Sequence, residues 1–205
     1  MELEVPQEGL TIHYSYQIEQ NGIVIRKEWN NFPQCLFLSG TPRKKYRIND
    51  CWKNIPEQLY LYSSAFTEAL LSHPERVDIP QGYKKGLIIK AYAPRINKDY
   101  CLAICGNQKA LGNWDPEKAV LMSDSNFPEW QVELDASKLK YPLEYKFILC
   151  HKQERKIDCW EKNPNRYLAD PEIKTNETLV ISDRYVYFDI PIWKGAGCLL
   201  YTSPS

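Results

Sequence analysis

Apolar and polar residues alternate over long stretches of this chain, and the period is two. Residues 10–19 read LTIHYSYQIE, Asn21-Gly22 follows as a hairpin turn, and IVIRKEW then runs through residues 23–29. Further strand-like runs are LIIKAYAP at 87–94, YCLAICGN at 100–107 and LEYKF at 143–147. In the last of these Lys146 sits between Tyr145 and Phe147, so alternation turns it to the opposite face from its aromatic neighbours. Trp130 alternates with Val132 and Leu134, a pattern that fits inward packing as well as ligand contact. The pattern breaks at residues 46–77, where Ser63 or Ser64 caps an expected short helix through Leu71 and Pro74 stops it. Trp52, Tyr60, Tyr62 and Phe66 are expected to anchor that stretch against a neighbouring domain.

The alternating segments repeat. A shift of 131 positions superposes Tyr14 on Tyr145, Tyr16 on Phe147, Trp29 on Trp160 and Pro33 on Pro164, the mark of a duplicated module. The second copy has LIIKAYAP and YCLAICGN before its hairpin, whereas the first begins almost directly at its own. Met1 is therefore expected to lie inside a longer natural protein, because a truncated sheet leaves strand edges open. In the first copy Ser15 stands for Lys146, Asn30 for Glu161 and Gln34 for Asn165, so weaker binding is expected there.

Composition narrows the class. Lys+Arg and Asp+Glu both number 26, so no net field draws the chain to nucleic acid or an anionic membrane. No run of apolar residues is long enough for a membrane helix, and MELEVPQEGL has no basic-then-apolar leader pattern. Seven Cys without a CxxC pair read as reduced thiols packed as small hydrophobes, which points to the cytoplasm. Cys101, Cys105 and His151 lack a fourth ligand and the spacing of a zinc site, so no metal or cofactor is expected.

The chemistry concentrates between Gly106 and Arg166. GNQKALGNW opens this stretch and CWEKNPNR closes it, placing two indoles near loop residues with a lysine, a glutamate and an asparagine at hand. A pyranose offers apolar C–H faces to aromatic rings and a hydroxyl rim to polar side chains, so the set suits sugar binding. The order G-N-x-x-x-L-G-N-W, A-V-x-L, P-x-W, E-Y-K-F and W-E-x-x-P-N-R resembles the family 20 starch-binding carbohydrate-binding modules over about residues 86 to 190. That resemblance implies an all-β, immunoglobulin-like β-sandwich. It also implies a glucan site formed by Trp114, Trp160, Lys146, Glu161 and Asn165. The family's second site would fall near Trp130 and Tyr100, but Lys98 stands where a tyrosine of that site is expected and Tyr100 is offset by two.

The expected organisation is a remnant of a first module at 1–40, a connector with a short helix at 41–82, and a complete module at 83–190. Residues 191–205 then begin a linker to a missing catalytic domain. The connector W-K-N-I-P-E-Q-L at 52–59 and P-I-W-K-G-A-G at 191–197 resemble the N-terminal region of family 77 4-alpha-glucanotransferases of the cytosolic disproportionating type. The ending CLLYTSPS resembles a translated sequencing adapter, so residues 198–205 are expected not to be biological. Asp115, Glu117, Asp158 and Glu161 read as solvated or hydroxyl-binding carboxylates, no catalytic residue is assigned, and the chain is expected to be inactive by itself. Its expected partner is an alpha-1,4-glucan polysaccharide or maltooligosaccharide. The competing reading is a starch-binding fold used only to dock another protein.

Overall fold

A computed structural model of the chain describes residues 3–29, 33–40, 45–55, 82–96, 98–154, 156–183, 186 and 188. The expected helix at 63–71 and the linker and tail at 191–205 lie outside the described residues. Those described are strands, turns and short 3-10 segments, with no α-helix among them.

The strands are β1 (Leu10–Tyr14), β2 (Gln17–Gln20), β3 (Ile23–Lys27), β4 (Gln34–Leu38), β5 (Lys45–Asn49), β6 (Lys85–Tyr92) and β7 (Tyr100–Gly106). They continue as β8 (Val120–Leu121), β9 (Ser123–Asn126), β10 (Glu129–Asp135), β11 (Leu143–His151), β12 (Ile157–Trp160), β13 (Arg166–Leu168) and β14 (Glu177–Ser182). One sheet runs in the order β5-β14-β6-β10-β9, and a second runs β12-β11-β7-β8 with β13 also paired to β11. Leu87, Ile89, Leu102, Ile104, Phe147, Leu149 and Leu179 are all buried in the core between them. This is a β-sandwich.

The first sheet is buried on its other side as well. Leu36 and Leu38 of β4 pack on Ile88 and Val180, with Val5, Ile12, Tyr14, Tyr46 and Ile48 around them. The antiparallel pair β1-β4 thus forms a layer outside the sandwich, which explains why β6 is buried along nearly its whole length. That layer buries Lys90 too. Its ammonium donates to the Cys35 carbonyl and pairs with Glu129 at 3.1 Å, so the buried charge is compensated. Beside it Lys53 lies over the Tyr92 ring at 4.4 Å, and burial holds its pKa below the usual lysine value.

The stretch expected as a connector contributes β5, which lies parallel to β14 at the sheet edge, pairing Lys45 with Glu177 and Ile48 with Val180. Its apolar residues Tyr46 and Ile48 face the Leu36–Leu38 cluster, which is why it behaves as a strand. The hairpin predicted at Asn21-Gly22 forms β2-β3, with φ of 51° and 77° at the two turn residues.

The repeat has a structural counterpart, with a changed offset. Glu28 donates its N–H to the Tyr16 carbonyl at 2.9 Å while its carboxylate accepts from the Tyr16 N–H at 3.0 Å. Glu161 does the same to Phe147, at 3.0 and 2.9 Å. Tyr14 donates to Asp50 at 2.6 Å, as Tyr145 does to Asp183 at 2.6 Å. The strand residues keep the shift of 131, but the carboxylates are 133 apart because the first hairpin is shorter by two. Glu28, not Asn30, therefore matches Glu161, and Lys27 rather than Trp29 occupies the place of Trp160.

Candidate functional site

β11 organises the site. Tyr145, Phe147 and Leu149 point into the sandwich core, so Glu144 and Lys146 lie on the opposite face, where both are half-buried, while Ile148 on that same side of the strand is fully buried. Opposite residues on antiparallel strands share a face, and Ile148 pairs with Trp160 on β12. Trp160 therefore stands on the outer face in line with Lys146, whose ammonium donates to the Glu161 carbonyl at 3.3 Å.

Trp114 reaches the same place by an unusual backbone route. Gly112, Asn113 and Trp114 have φ of 83°, 52° and 60°, three left-handed residues in succession. Glycine adopts that region without strain, whereas a bulky Trp does so at a cost of about 1–3 kcal/mol. A Cβ on Gly112 would meet the Lys118 carbonyl at 2.9 Å, so the turn is closed to larger residues. Asp115 then caps the following 3-10 turn: its carboxylate accepts from the Glu117 N–H at 3.1 Å and pairs with Lys118. That partner holds the Asp115 pKa below the usual carboxylate value. The result brings the Trp114 and Trp160 rings to 6.2 Å, tilted by 47°. Both indoles are partly exposed.

Glu161 lies elsewhere in the chemistry. It is 2% exposed, and its carboxylate accepts from the Phe147 N–H, from Arg166 at 3.1 and 2.9 Å, and from Asn163 at 3.2 Å. With its lone pairs engaged inside the protein, Glu161 holds β11, β12 and β13 together and does not offer its carboxylate to a sugar. Arg166 also lies over the Phe147 ring at 4.8 Å and 3.7 Å from Asp183. The sequence signal for this role was the arginine five positions after the glutamate. Asn165 is exposed in the loop between β12 and β13.

The expected second site is not assembled around Trp130. That ring is 0% exposed, its N–H donates to the Ala93 carbonyl at 3.3 Å, and it packs edge-on to Phe127 at 6.3 Å. Its alternation with Val132 and Leu134 points it into the core. Tyr100 is partly buried on the other sheet, in an edge contact with His151 at 5.3 Å. Cys101, Cys105 and Cys150 are buried free thiols, and the described residues contain no group of His, Cys, Asp or Glu arranged to hold a metal.

Residues 89–180 match the family model described as "Starch binding domain", family 20 of the carbohydrate-binding modules. This segment is similar to starch binding domains. Among solved structures, the chain is similar to the family 15 glucoamylase from Hypocrea jecorina at 23% identity and a TM-score of 0.41, covering 55% of this chain and 19% of that one. It is also similar to the family 20 module of the maltotetraose-forming amylase from Pseudomonas saccharophila STB07, at 18% identity and a TM-score of 0.38. That match covers 48% of this chain and 99% of the module. The chain thus spans about a fifth of the glucoamylase and nearly all of the isolated module.

Proposed function

We propose that this chain binds alpha-1,4-glucans through the outer face of the β12-β11-β7-β8 sheet, with Trp114 and Trp160 covering sugar faces and Lys146 and Asn165 bonding hydroxyls. The observation that carries this reading is the left-handed turn from Gly112 to Trp114, which places a partly exposed indole 6.2 Å from a second one. Backbone strain of this kind persists where the surrounding structure over-determines it, and binding clamps are a common place for it. The starch binding domain match over residues 89–180 supports the ligand class.

Two tilted rings fit a curved chain of sugars better than a flat one. Each stacking contact contributes roughly 0.5–1.5 kcal/mol beyond the area it buries, and a neutral hydrogen bond adds about 1 kcal/mol. A site of this size binds in the micromolar to millimolar range. The role is anchoring, in keeping with the 4-alpha-glucanotransferase resemblance of the 52–59 and 191–197 segments. In that parent the chain would hold glucan in the cytoplasm for chemistry performed by another domain. Native gels cast with amylose, glycogen or cellulose test the proposal: retardation by the first two and not by cellulose is expected, and free migration in all three refutes it.

A further inference from the structure

Tyr167 of β13 is 64% exposed, more than any other Tyr, Trp or Phe among the described residues, and its hydroxyl makes no hydrogen bond to them. It pairs with Glu144 of β11, so it stands on the face that carries Lys146 and Trp160. The Glu144 side chain is also without a partner among the described residues, although its backbone is tied twice to Asn107: its N–H donates to the Asn107 side chain and its carbonyl accepts from the Asn107 N–H. A fixed backbone therefore presents a half-buried glutamate directly across from an exposed phenol ring.

From Glu144 to Ile148, the partner of Trp160, is four residues along β11, or roughly 13 Å at a strand rise of about 3.3 Å per residue. Lys146 lies midway on the same face, and exposed Asn165 lies in the loop between Trp160 and Tyr167. Lys146 thus lies along β11 between the strand position that pairs with Trp160 and the one that pairs with Tyr167.

We propose that Tyr167 and Glu144 form an additional subsite for the same glucan, one that only longer oligosaccharides reach. This rests on the reading of Trp114 and Trp160 as the anchoring pair. Tyr167 covers the face of a sugar ring, and the Glu144 carboxylate accepts a hydrogen bond from one of its hydroxyls. Selection for chain length follows, because maltose seated on the indoles is too short to touch Tyr167.

The experiment is isothermal titration of the full chain, wild type and Tyr167→Ala, with maltose and with maltoheptaose. Tyr167 is exposed and Glu144 half-buried, and the melting temperature of each variant checks that the fold is kept. Tyr167→Ala is expected to weaken maltoheptaose binding by about fivefold while leaving maltose within about twofold, and Glu144→Gln to weaken only maltoheptaose, by about threefold. Equal affinity of wild type and Tyr167→Ala for maltoheptaose overturns the subsite but leaves the indole site standing, as does an equal loss for both sugars. A wild-type chain that binds neither sugar overturns both.

Discussion

The rings of Trp114 and Trp160 meet at 6.2 Å and 47°, an open V and not a flat shelf. That angle depends on Gly112, whose φ of 83° starts the left-handed turn. Gly112→Ala adds a Cβ 2.9 Å from the Lys118 carbonyl in a backbone region alanine disfavours. It is expected to lower stability by about 1–3 kcal/mol and to weaken maltoheptaose binding by about tenfold, as Trp114 swings away. Urea unfolding and tryptophan fluorescence titration measure the two effects separately.

Glu161 tests the division between holding the fold and touching the sugar. Removing its carboxylate leaves Arg166, a largely buried guanidinium, without its bidentate partner. Glu161→Ala is expected to cost about 3–5 kcal/mol. The matching change Glu28→Ala removes a partner from Gln34 and from the backbone N–H groups of Tyr16 and Lys53, with a smaller loss of about 1–3 kcal/mol. Calorimetric melting of both variants settles the order; a Glu161→Ala chain as stable as wild type but unable to bind would restore Glu161 to the sugar site.

Trp130 gives the opposite prediction to Trp160. Trp130→Ala empties a core position and is expected to cost about 3–5 kcal/mol, whereas Trp130→Phe keeps most of the packing. Glucan affinity of the folded Trp130→Phe chain should equal that of wild type. A tenfold loss there would show that Trp130 contacts ligand.

Acid separates the capping role of Asp115 from the rest of the site. Its pKa is held below the usual carboxylate value, so its contribution is present above the ordinary value of about 3.9 and is lost as pH falls through the lower folded-state value. Asp115→Asn should therefore bind maltoheptaose slightly more weakly than wild type at pH 6. The difference should shrink only as pH falls below that ordinary carboxylate value. A difference that grows on acidification contradicts the assignment.

Much of this was legible before any coordinates. The alternation in LEYKF gave the outward face of Lys146, Asn21-Gly22 gave the first hairpin turn, and the GNW and CWE segments gave the indole pair. Other parts were hidden for physical reasons. Glu161 looks like a surface carboxylate until Arg166 is seen to fold back on it, since an ion pair across a turn leaves no periodic trace. The aromatic strand residues of the two copies keep a single shift of 131, so they carry no trace of the two-residue change in the hairpin, which puts Lys27 and not Trp29 opposite Trp160. β5 was lost in the connector because a five-residue edge strand is too short to announce its period. Tyr167 was missed because three residues of β13 follow a turn and carry no alternation of their own.

The central claim is that the tilted indole pair holds the glucan. The most direct measurement is titration of the chain carrying both Trp114→Ala and Trp160→Ala with maltoheptaose, by calorimetry, with circular dichroism confirming that the sandwich persists. Each ring is expected to be worth about tenfold, so the double variant should show no heat of binding at millimolar sugar. Unaltered affinity in that folded double variant would contradict the account.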